Sequence, residues 1–113
     1  MNARIFLIDM PRMMREIIQV VVTQRRGIDI VGSAGNADSA RQVVLSINST
    51  RADLVVLTTG YHQLPDLLMQ LLVQGSPVHL LIMTGDGREA FHCRPLGEIS
   101  PEALLNIVDG IMR

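Results

Sequence analysis

The chain has no lysine and no tryptophan, so all ten of its basic residues are arginine. Without lysine there is no Schiff-base amine, no phosphate-loop lysine and no ammonium to clamp a phosphoryl group. Aromatic residues make up only 3% of the 113. The core must therefore be aliphatic, and stacking platforms for single-stranded nucleic acid are excluded. A net charge of -1 supplies no general attraction to polyanions, so direct nucleic-acid binding is not expected. The single cysteine, Cys93, cannot make an internal disulfide, and a reducing cytoplasm is the expected compartment. No run reaches the length of a membrane span, and Ile5 to Ile8 is too short for a signal core. Repeats, low-complexity tracts and linkers are also missing. What remains is 48% hydrophobic residues on a length that suits one domain, residues 1–113.

Apolar runs alternate with amphipathic stretches. Ala3 to Ile8 reads as a buried strand. Asp9 and Pro11 signal a helix start, and Met13, Met14, Ile17, Ile18, Val21 and Val22 recur at helical spacing to about Gln24. Ile28 to Ala34 is a second strand, and Ala37 to Ile47 a second helix with Ala40, Val43, Val44 and Ile47 on one side. Leu54 to Leu57 is a third strand, Pro65 to Val73 a third helix, and Val78 to Met83 a fourth strand. Strands apolar on both faces, alternating with helices, predict a parallel sheet covered on each side: a doubly wound, three-layer α/β fold.

The alternation breaks after Thr84. Only Gly85 to Glu89 separates the fourth strand from Ala90-Phe91-His92-Cys93-Arg94, another strand-like run. A parallel crossover needs about a dozen residues. Asp86-Gly87 instead signals a tight two-residue hairpin, which predicts a fifth strand antiparallel to the fourth. Pairing of Ala90 to Arg94 with a second subunit, or a loop, is the alternative. Ser100-Pro101-Glu102 then opens a last helix, Ala103 to Met112.

The most telling stretch is Asp53 to Gly60. It delivers Thr58 to the carboxyl edge of the sheet, beside Asp9 at the end of the first strand. Mg²⁺ is ordinarily held by one or two carboxylates with waters and a phosphate. Here the edge offers one carboxylate, a hydroxyl and the thioether of Met10. A hydroxyl is a poor nucleophile without an adjacent base, and Asp9 is the only candidate. Asp9 also has an ordinary reading, as a helix cap or a partner of Arg12.

Residues 1 to about 60 resemble the receiver domain of two-component response regulators, especially the subgroup attached to LuxR/NarL-type DNA-binding domains. The likeness rests on Arg4 to Asp9, Met13-Met14-Arg15-Glu16, Ile30 to Ala37 followed by Ala40, and Asp53 to Leu57. Downstream, Leu81 to Thr84 is similar to the family's fourth strand with its switch hydroxyl. Arg94-Pro95 falls where the family has Lys-Pro, and Ser100 to Leu105 resembles its last helix. The resemblance implies a CheY/flavodoxin-like fold with the fourth helix missing. It also implies a degenerate phosphorylation site: Thr58 stands for the acceptor Asp, Asp9-Met10 for the acidic pair, and Arg94 for the lysine, while Thr84 is retained. A DNA-binding output domain beyond this chain is an implied partner.

The function expected on these grounds is a phosphorylation-independent receiver-like domain, not an enzyme, with no cofactor and no metal. It would act by protein contact or dimerisation in bacterial two-component or transcriptional regulation. Two alternatives stand beside it: a small-ligand sensor using the vacated pocket near Asp9 and Thr58, and a small phosphotransfer enzyme using Asp9 with Thr58 or Thr84. Arg12 and Arg15 could dock an acidic partner. Tyr61 and His62, on a loop that reads as mobile and exposed, suit partner recognition. His62, His79 and His92 lack metal-site spacing, and the Gly-rich stretches at 32–35 and 85–87 read as turns. Loss of a helix would uncover apolar surface on the fourth strand, which predicts a homodimer through the face formed by the fourth strand, fifth strand and last helix.

Overall fold

The computed structural model describes residues 2–112. Nine elements follow in chain order. They are β1 (Ala3–Ile8), α1 (Arg12–Thr23), β2 (Ile28–Ala34), α2 (Ala40–Thr50), β3 (Leu54–Thr58), α3 (Leu64–Val73), β4 (His79–Met83), β5 (Ala90–Cys93) and α4 (Pro101–Ile111). The sheet order is β2-β1-β3-β4-β5. The first four strands are parallel, and β5 runs antiparallel to β4, with Leu80 opposite Cys93 and Met83 opposite Ala90. This is an α/β fold with a mostly parallel five-stranded sheet and four helices, compatible with the flavodoxin-like strand order. No helix separates β4 from β5.

Strand side chains alternate between two aliphatic layers. Phe6, Ile8, Val55, Leu57 and Leu80 pack with α2 and α3 on one face. Ile5, Leu7, Val56 and Met83 pack with Met14, Ile18 and Val22 of α1 on the other. Gly32 is required where the register of β1 on β2 slips between Ile5 and Phe6. A β-carbon there would meet the Phe6 ring at 2.8 Å.

Four local expectations are corrected. Helix α2 starts at Ala40 rather than Ala37, because the Ser39 hydroxyl accepts from Gln42 N–H as its cap and Asp38 is committed to a turn, accepting from Gly35 N–H at 2.7 Å. Asp9 does not cap α1, whose boundary residue is Pro11 with no side-chain cap. Arg12 pairs with Glu16 at 3.3 Å, not with Asp9. The β4–β5 connection is wider than a two-residue turn. Thr84 N–H still donates to the Glu89 carbonyl, and the chain reverses over the residues between, with Gly87 at φ 73.

The two ends of the chain differ in packing. No described residue from Gly85 onward is buried, and in α4 only Ala103 is even partly covered. No residue of α4 belongs to either aliphatic layer among the described residues.

Candidate functional site

Parallel strands β1 and β3 place Asp9 and Thr58 at the same carboxyl edge. Asp9 takes a left-handed backbone, φ 49, a conformation Asp tolerates better than most residues. Its N–H is held by the Ala34 carbonyl at 2.9 Å. Thr58 ends β3 and is buried. Its hydroxyl lies 3.4 Å from Asp9 Oδ2 and 3.5 Å from the Asp9 carbonyl, both long contacts. Gly60 closes over the pair: a β-carbon there would lie 3.5 Å from Asp9 Oδ2 and 3.6 Å from Thr58 Oγ1.

The other positions expected at this site lie elsewhere. Met10 is buried in the α1-side layer with Ile5, Leu7, Val56 and Met83, so its thioether fills core instead of lining the edge. Thr84 is absorbed into the hairpin. Its hydroxyl donates to Asp86 Oδ1 at 2.6 Å and accepts from Glu89 N–H at 3.3 Å. That donation, with a second from Arg88 N–H at 3.1 Å, holds the exposed Asp86 carboxyl below its usual value. Arg94 is at the opposite edge of the sheet. Because β5 is reversed, its last residue, Cys93, pairs with Leu80 near the start of β4, and Arg94 follows from there. The receiver resemblance implies a place for Arg94 at the carboxyl edge, which would require a parallel β5.

Only Asp9 and Thr58 of the five are therefore brought together. One carboxylate and one buried hydroxyl offer Mg²⁺ a single charged ligand, the low end of the one or two it ordinarily takes. Among the described residues no three His, Cys, Asp or Glu side chains gather to hold a metal ion.

The loop expected to present Tyr61 is fastened instead. Tyr61 is 2% exposed. Its hydroxyl donates to the Asp38 carbonyl at 2.8 Å, and burial, then the nearby Asp38 and Asp66, push its ionisation above the usual value of 10.0. The Tyr61 hydroxyl is thus unavailable to a partner. His62 is exposed, but its N–H donates to Asn36 Oδ1 at 2.8 Å, and its Nδ1 lies 3.3 Å from Asn36 Nδ2. Gln63 Oε1 accepts from Ala40 N–H at 2.8 Å and so caps α2. Together these bonds stitch the β3–α3 loop to the β2–α2 loop. Arg12 and Arg15 are exposed on the first turns of α1. The Arg12–Glu16 pair there is solvent-screened and contributes little.

Two features go beyond the sequence reading. His79 and His92 stack across β4 and β5 with ring centroids 5.3 Å apart and Nδ1 to Nε2 at 3.0 Å. The register explains it: both project from the α1-side face, a relation that needs the strand pairing to be known. The second is an apolar groove of about 610 Å³ between α3 and the segment after β5, lined by Leu68, Leu71, Leu72, Leu80 and Leu96 among others. It occupies the side of the sheet on which α2 and α3 pack. The missing β4–β5 helix already predicts uncovered apolar surface on the fourth strand; the walls from α3 and residues 94–98 are what the structure adds. Comparison of the chain with protein-family models, curated proteins and solved structures finds no match.

Proposed function

We propose that this chain is a receiver-like domain that signals without being phosphorylated, acting through protein contact in bacterial two-component or transcriptional regulation. The observation that carries this reading is the carboxyl edge between β1 and β3. It has the position of a receiver's acidic site, yet it holds Asp9 and a buried Thr58 and no second acid. A phosphoryl donor meets one carboxylate and a buried hydroxyl there, in place of an acidic cluster and an open nucleophile. The strand order and the two aliphatic layers support the receiver comparison, as do the segments Arg4 to Asp9 and Asp53 to Leu57. The tying of Thr84 into the hairpin also removes the hydroxyl that would follow a phosphoryl group in a switching domain.

The test is incubation with a small acyl phosphate and Mg²⁺ followed by intact-mass measurement. The expected result is an unchanged mass. A single added phosphoryl group, lost in a Thr58→Val variant, would replace this reading with phosphotransfer chemistry.

A further inference from the structure

The chain exposes more surface than its mass requires. Its accessible area is 8105 Å², whereas a folded monomer of 12.5 kDa exposes about 6,200 Å². The Cα radius of gyration, 14.8 Å, also exceeds the roughly 13 Å of a compact chain of this length. The surplus is about 1,900 Å², within the roughly 1,000–2,500 Å² that each subunit of a permanent homodimer buries.

Two complementary apolar surfaces are among what is exposed. Leu104, Leu105, Val108, Ile111 and Met112 form one stripe on α4 at i, i+1, i+4, i+7 and i+8, all exposed. Glu102, Asn106 and Asp109 lie on the opposite side of the helix. Ala103, the one partly covered residue of α4, is also off the stripe, so the apolar side faces solvent. The second surface is the α3–β5 groove, where a crossover helix would lie if β5 were parallel. Its residues Leu68, Leu71, Leu72, Val78 and Leu80 present a leucine-rich floor. Residues 94–98 wall this groove, so α4 of the same chain is fed out past its rim. Arg94 and Glu98 both line the groove, and neither makes an ion pair among the described residues. Helix α4 carries Glu102 and Asp109 and no base within Pro101–Ile111.

We infer that the occupant of the groove is α4 of a second copy of this chain, and that two copies exchange these helices reciprocally. The mode is an amphipathic helix laid in an apolar groove, with the arginine at the rim facing an acidic helix. This deepens the interaction-module reading and rests on it in naming a protein partner. The two fail separately: a strictly monomeric chain removes the exchange, and an added phosphoryl group removes the module reading.

The experiment is sedimentation equilibrium on the full chain with two exposed-site variants, Leu72→Asp in the groove rim and Leu105→Asp on α4. The wild type should show twice the chain mass. Each variant should weaken association at least about tenfold while keeping the wild-type circular dichroism spectrum. An equimolar mixture of the two should recover part of the association, because one intact helix–groove contact is restored. In a Cys93→Ser background, Leu72→Cys with Leu105→Cys should oxidise to a covalent pair of chains on a non-reducing gel. A wild type that stays monomeric at high micromolar concentration overturns the inference. So does an intrachain disulfide, which would place α4 in its own groove. Helix α1 also exposes Met13, Ile17, Val20 and Val21, so a dimer broken by Ile17→Asp but untouched by Leu72→Asp overturns it as well.

Discussion

Helices α2 and α4 are each eleven residues long, each starts from a serine whose hydroxyl accepts a backbone N–H, and each carries an apolar stripe. Helix α2 buries Ala40, Val43, Val44 and Ile47, whereas α4 buries nothing. Length, capping and amphipathicity do not separate them. The strand before each helix does. Helix α2 leaves a parallel strand and must cross the sheet to reach β3, so its stripe is pressed onto Phe6, Val55 and their neighbours. Helix α4 leaves a reversed edge strand, and among the described residues it is not followed by a strand of the sheet. An apolar stripe specifies that a face wants cover; the connection decides what lies beneath it.

The largest expected effect tests that contrast directly. Ile47→Ala, at a fully buried α2 position, should lower unfolding free energy by about 2–5 kcal/mol in urea titrations. Ile111→Ala, on the exposed stripe of α4, should change it by no more than about 0.5 kcal/mol at concentrations where the chain is monomeric. Equal losses would mean that α4 packs on its own domain, and the contrast would be gone. A smaller effect sharpens the α2 side. Gly32→Ala should cost about 1–3 kcal/mol, because the new methyl must displace the buried Phe6 ring.

The smallest effect concerns the tie at the start of α2. Tyr61→Phe should cost about 1 kcal/mol near neutral pH, through loss of the bond to the Asp38 carbonyl. Tyr61 has its folded pKa raised above 10.0. The neutral phenol is therefore favoured in the native state. Its contribution is fully present below the unfolded value and is lost as pH rises through the folded one. Stability measured against pH should fall above pH 10 more steeply in the wild type than in Tyr61→Phe. Parallel curves would show that the hydroxyl is not held as described.

Period and length carried most of the fold. The helical spacing of Met14, Ile18 and Val22, and the doubly apolar strands, are local signals that survive packing. The reversal of β5 was legible because chain length is a hard constraint: the residues between Thr84 and Ala90 cannot span a parallel crossover. The site was less legible, for two separate reasons. Tyr61 looks like an exposed loop residue because its burial depends on Asp38, which is distant in sequence and reached only when β2 and β3 flank β1. The place implied for Arg94 comes from a resemblance to a family whose fifth strand is parallel, and the reversal carries it to the far edge. Asp9 and Thr58 were placed correctly relative to each other because both sit at the ends of parallel strands on either side of no gap in the sheet.

Reversing one short strand has a mechanical consequence. In this chain the segment leading to α4 sets off from the amino rim, where Cys93 meets Leu80, while Asp9 and Thr58 occupy the carboxyl rim. A strand's length of sheet, about 17–20 Å, lies between them. Under the helix exchange inferred above, the posture of the final helix would follow the concentration of the chain: abundance, in place of chemistry, would be its input.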